Sequence, residues 1–169
     1  MKISSKKIAL TALLTATAIL LGVVESLIPP IFPALPFLRL GLGNVAVGFS
    51  AIALGCPYAV LTALLKGALV GLIAGNPMMI IYSLAGGVTS AIVTILLINL
   101  RKLSLPVIGV LSACVHNLMQ LFVAAAMTST AEVFTLAPVF LVFGAVAGFG
   151  TGTVQFLVIR ALPERFFSF

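Results

Sequence analysis

The sequence predicts an all-α, polytopic membrane protein, a single domain of six transmembrane helices over residues 1–169. Three observations carry this expectation. The chain is 62 % hydrophobic with a mean hydropathy of +1.35, whereas a soluble domain is roughly half apolar and a quarter charged. It holds nine Lys and Arg and three Glu among its 169 residues. Seven of the basic residues (Lys2, Lys6, Lys7, Arg101, Lys102, Arg160 and Arg165) flank long apolar runs on what would be one side of a bilayer.

A helix needs about 20 apolar residues to cross a hydrocarbon core roughly 30 Å thick. The runs here are continuous rather than alternating, so they read as helices and not as barrel strands. The first extends from about Ile8 to Ile28 and stops at Pro29-Pro30. Lysines precede it, as in a secretory signal, but it is longer than a signal core and no small-residue cleavage site precedes Glu25, so it reads as a retained helix. The second, short, runs from Leu38 to Gly55, with Pro57 punctuating the turn after it. The third runs from Tyr58 to Ala74 and closes at Gly75-Asn76-Pro77; the fourth runs from Met78 to Leu100 and stops at Arg101-Lys102. The fifth spans Leu105 to Met127 and the sixth Ala137 to Leu162. Basic residues collect at the cytoplasmic ends of spans. Both termini are therefore expected in the cytoplasm of a cell-membrane protein, with only Arg39 and Glu132 on the other face.

Small residues at every fourth position let helix backbones approach closely in lipid. Gly67, Gly71 and Gly75 form one such ridge, Gly144, Gly148 and Gly152 a second, and Ala12 and Ala16 a weaker pair. Between the first two spans, Pro29, Pro30, Pro33 and Pro36 exclude a continuous helix. The apolar residues among them imply a stiff loop folded back onto the membrane face, either a lid or a re-entrant packing element.

An ionisable side chain inside a span is costly and therefore a functional candidate. Glu25, Lys66 and His116 qualify, with Asn44, Tyr82, Asn117, Gln120 and Gln155 as polar neighbours and Arg39 at the mouth of the second span. Gln120 follows His116 by one helical turn on the same face. Span directions place Glu25, Arg39, Asn44, Lys66, Tyr82, His116, Asn117 and Gln120 towards the outer leaflet, beneath the Pro-rich loop. Two readings stand: interhelical hydrogen bonds and a Glu25–Lys66 ion pair, or a substrate pocket open to the outside. In a pocket, Arg39, Lys66 and His116 outweigh Glu25 and favour an anionic or carboxylate-bearing ligand with an apolar body.

Several chemistries have no residues to carry them. There is no GxxxxGK[ST] loop for ATP and no aspartate at all, hence no aspartate-rich magnesium–diphosphate site. No nucleophile–His–acid set or carboxylate pair is visible, so no catalytic residue, metal site or cofactor is expected. Cys56 and Cys114 lack His or Cys neighbours and read as packing residues. No basic cluster interleaved with aromatics points to nucleic acid.

Three segments in order, LGLGN at Leu40–Asn44, YSLAGG at Tyr82–Gly87 and HNLMQ at His116–Gln120, resemble the small membrane family called Gx transporter or heptaprenyl diphosphate synthase component I. The resemblance covers nearly the whole chain. In size and layout that family is similar to the substrate-binding S components of energy-coupling factor (ECF) transporters. Those are six-helix proteins that capture vitamins or metals from outside and dock on a transmembrane coupling protein with two ATPases. The resemblance implies that Ala12 and Ala16 meet the coupling subunit and that the missing ATP site lies on another polypeptide. The synthase label fits these residues less well: without an aspartate-rich site the chain is at most a noncatalytic membrane partner of a prenyl synthase, the alternative reading.

Overall fold

The computed structural model describes residues 5–29 and 40–163, and every regular element among them is helical. Five helices are long and apolar enough to cross a membrane: α1 (Ser5–Leu27), α3 (Cys56–Ile73), α4 (Pro77–Asn99), α5 (Leu105–Thr128) and α6 (Ala137–Ala161). Between α1 and α3 lies α2 (Asn44–Leu54), and a short 3₁₀ segment (Ala131–Leu136) leads into α6. The fold class read from the apolar runs is therefore correct.

Four prolines begin helices, while Pro29 and Pro163 stand two residues past the ends of α1 and α6. Pro57, Pro77, Pro106 and Pro138 each sit in the first turn of a helix, where the missing N–H would have had no partner anyway. Pro57, which the sequence placed in the turn, accordingly lies inside α3, whose first residue is Cys56. Asn76 caps α4, its Oδ1 accepting the amide of Met79 at 3.2 Å. The αL residue Ser129 closes α5.

The largest departure from expectation is α2. Eleven residues span about 16 Å, half a hydrocarbon core. The turn to α3 is made at Gly55, whose φ of 89° and ψ of −173° suit only glycine. Counting back from that turn, Asn44 lies at mid-depth, level with Lys66 on antiparallel α3. Apolar composition alone does not reveal this, because Leu38 to Leu42 continues the hydrophobic run up to the helix start.

The long helices form a curved series, α1 on α3, α3 on α4, α4 on α5 and α5 on α6, around α2, which touches α1, α3, α4 and α6. Small residues line that centre: Ala18, Ala46, Val47, Ala63 and Ala91 pack together. A chain of hydroxyls, Thr15 to Thr62 at 3.3 Å and Thr62 to Ser50 at 3.4 Å, ties α1, α3 and α2. The outward faces are apolar, as lipid requires; Val142 and Val146 on α6 are 67 % and 70 % exposed.

Both glycine ridges pack inside the chain, with one exception. A methyl group on Gly67 or Gly71 would strike Leu84 or Ile80 of α4, and one on Gly144, Gly148 or Gly152 would strike α5. Gly75 instead ends α3 in a turn with φ 63° and has open space beside it. Gly109 of α5, unnoticed in the sequence because it stands alone, meets Gly148 and Gly152 backbone to backbone. The described basic residues Lys6, Lys7, Arg101, Lys102 and Arg160 all fall at one end of this bundle, the basic end.

Candidate functional site

Because α2 reaches only mid-depth, polar side chains of the surrounding helices line the interior beyond its N-terminus. The approach to α2 is made by Leu40, Gly41, Leu42 and Gly43, non-helical backbone that a bilayer tolerates only when protein covers it. Glu25, in the last turns of α1, provides the cover. Its carboxylate accepts the amides of Gly41 at 2.6 Å and Leu42 at 3.0 Å, and it is buried. Gly41 adopts φ 75°, and a side chain on Gly43 would collide with the carbonyl of Ala18 and the end of Lys66. Glycine at both positions is what allows the α2 entry to press against α1.

Lys66 of α3 donates from Nζ to Asn44 Oδ1 at 2.9 Å. The ammonium thus sits at the first residue of α2, while the carboxylate of Glu25 holds the turn before it. A cavity of about 40 Å³ opens there, lined by Gly22, Glu25, Gly41 and Lys66, by Tyr82 and Ser83 of α4, and by His116 and Gln120 of α5, with Val70 and Met79. His116 lies against Gly86, where an added methyl would come within 2.9–3.1 Å of the ring. Two polar atoms here have no hydrogen-bond partner among the described residues, His116 Nδ1 and Gln120 Oε1. Leaving a buried acceptor unmet costs about 1–3 kcal/mol, so such atoms are met in native structures by water, an ion or a ligand.

On the other side of Asn44, towards the basic end, a second cavity of about 40 Å³ lies between α2, α4, α5 and α6. Its polar wall is Asn44, Ser90, Thr94, Ser112, Thr151 and Gln155. Gln155 donates to the carbonyls of Val45 at 3.2 Å and Asn44 at 3.5 Å, holding α6 on the first turn of α2.

Five of the residues singled out in the sequence therefore converge on one cavity: Glu25, Lys66, Tyr82, His116 and Gln120. Asn44 joins them through Lys66 but lines the second cavity. Asn117 does not belong. Its Nδ2 donates to the Phe140 carbonyl at 2.9 Å, because the residue after His116 is rotated about 100° around α5 and faces α6. Arg39 falls outside the described residues. Glu25 and Lys66 line the same cavity, the one bonded to the Gly41 and Leu42 amides and the other to Asn44. Gly41 and Ser83 stand inside the LGLGN and YSLAGG segments but were not among the candidate site residues: Gly41 belongs to a Gly-x-Gly fragment with no nucleotide-binding context, and one serine on an apolar helix does not by itself mark a site. Ala12 and Ala16 lie exposed on α1. Among the described residues no cluster of His, Cys, Asp or Glu could hold a metal ion.

Five membrane-length apolar helices around a half-length one, with buried polar groups at the break, define a polytopic helical membrane protein. The model of the heptaprenyl diphosphate synthase component I family matches residues 14–158. The chain belongs to that family. No curated protein sequence matches it.

Proposed function

We propose that this chain is a membrane-embedded substrate-binding subunit, S-component-like, of an ECF-type importer. On this reading it catalyses no reaction. It captures a small anionic or amphiphilic metabolite (a vitamin, quinone or isoprenoid precursor) at the end opposite the basic one, which positive-inside orientation makes the outer face. The observation that carries the reading is the pair of buried, unmet polar atoms on His116 and Gln120 beside Lys66 in one cavity. About 40 Å³ holds one or two waters, whereas metabolite sites run to roughly 300–1,000 Å³. The described form is thus closed to a metabolite, and capture requires the α2 entry to give way. Exposed Ala12 and Ala16 on α1 supply the close-approach surface for a coupling protein, with ATPase subunits carrying the energy input.

Native mass spectrometry of the protein purified from its own membranes tests this. A bound small molecule is expected on the wild type and absent from Lys66→Ala and His116→Ala variants that still fold. Normal retention by both variants would refute the site.

The family's own description favours a second reading, a noncatalytic membrane subunit beside a heptaprenyl diphosphate synthase. Its docking surface would be the basic end, where the loop between α4 and α5 (residues 100–104) offers little area. Copurification of a soluble prenyl synthase with an otherwise empty protein would select it.

A further inference from the structure

The site already contains a carboxylate, and it is the chain's own. Glu25 reaches across from α1 to accept two successive backbone amides, Gly41 at 2.6 Å and Leu42 at 3.0 Å. These lie on the approach to α2, whose N-terminal end carries the positive pole of its dipole. Lys66 adds a full positive charge one helix away, bonded to Asn44 at 2.9 Å. Successive amides backed by a helix start and an ammonium make an anion seat. A seat of this kind can serve structure alone, so what lies beside it matters. His116 and Gln120, 7 % and 4 % exposed, line the same cavity and present Nδ1 and Oε1 with no partner among the described residues. Gln120 Oε1 is an acceptor, and Nδ1 of a neutral imidazole is one whenever the proton is on Nε2.

We infer that the Gly41–Leu42 amides with Lys66 are the subsite for a carboxylate of the captured ligand, and that Glu25 occupies it in the closed form as a tethered competitor. The inference rests on the capture reading and names its substrate class: a small carboxylate whose other end carries a hydrogen-bond donor, an amide, hydroxyl or amine, for His116 and Gln120. This accounts for the closed cavity and for the pairing of Glu25 with amides. Glu25 stands two residues from the end of α1, so on displacement its carboxylate swings to the headgroup layer. Among the described residues, the charged and titratable groups facing it across the cavity are Lys66 of α3, Tyr82 of α4 and His116 of α5.

The test uses the full chain in lipid nanodiscs with 4-hydroxybutyrate and its neutral isostere 4-hydroxybutyramide as probes. Three glutamate or aspartate side chains in the whole sequence make ¹³C-glutamate infrared difference spectra assignable, the Glu25 band being the one lost in Glu25→Gln. Hydroxybutyrate is expected to shift that band in the wild type and hydroxybutyramide to leave it unmoved. Glu25→Gln, freed of a like charge, should bind radiolabelled hydroxybutyrate roughly ten- to a hundredfold more tightly, with hydroxybutyramide unchanged. An unmoved Glu25 band at saturating hydroxybutyrate, equal hydroxybutyrate affinities in the two proteins, or no hydroxybutyrate binding to either overturns the inference. Should Glu25→Gln fail to fold, Glu25→Ala assigns the band if it folds, and the wild-type carboxylate response to hydroxybutyrate against hydroxybutyramide decides. Failure here, with a native ligand still lost on Lys66→Ala, removes the carboxylate subsite and leaves the capture reading standing.

Discussion

Gln120 is the residue at which stability and binding pull apart. Its Oε1 is buried and has no partner among the described residues, a cost of about 1–3 kcal/mol. Gln120→Leu keeps the shape and removes the orphan atom. It is expected to stabilise the fold by about 1 kcal/mol while reducing ligand retention, read by thermal melting in lipid and by native mass spectrometry of the same preparation. Asn117→Leu provides the contrast: loss of the bond to the Phe140 carbonyl should cost about 1 kcal/mol with retention unaffected. His116 and Gln120 were legible in the sequence because i and i+4 share a helix face. Asn117 misled because burial of a polar residue says nothing about which neighbour it faces. The partners of Glu25 were not legible at all: they are backbone amides 16 and 17 residues away, across a stretch of four prolines.

Among the elements, the α5–α6 pair is the most intimate. Gly109 against Gly148 and Gly152 leaves no room for a side chain between the backbones, and packing rather than hydrophobic transfer holds such pairs in lipid. Gly148→Leu should therefore separate α5 from α6 and cost about 3 kcal/mol or more. Gly150→Leu, two residues on and with open space around it, should stay within about 0.5 kcal/mol of the wild type. Detergent unfolding titrations followed by circular dichroism distinguish the two. The glycine ridges announced these contacts because a period of four marks one helix face. The length of α2 was hidden because both the entry turn and the helix are apolar. What separates them is a positive φ at Gly41 and the carboxylate that meets it.

At the scale of the whole molecule, orientation is the property most open to test. Cys56 is exposed at the α2–α3 turn, at the basic end, and should lie in the cytoplasm. In intact cells it should react with a membrane-permeant maleimide and resist an impermeant one; labelling by the impermeant reagent would invert the assignment. The half-length α2 also has a consequence for biogenesis. Eleven residues, with polar Asn44 and Ser50 among them, offer the insertion machinery too little to hold in the bilayer alone, so α2 must enter together with α3 as a hairpin hinged at Gly55. On arrival its leading turn would bring bare amides into hydrocarbon. Synthesis runs from the N-terminus, so α1 is already in place when α2 emerges, with Glu25 waiting at the depth where those amides come to rest. The order of residues along the chain is thus also an order of assembly, in which the first helix supplies the receptor that lets an otherwise uninsertable second one stay.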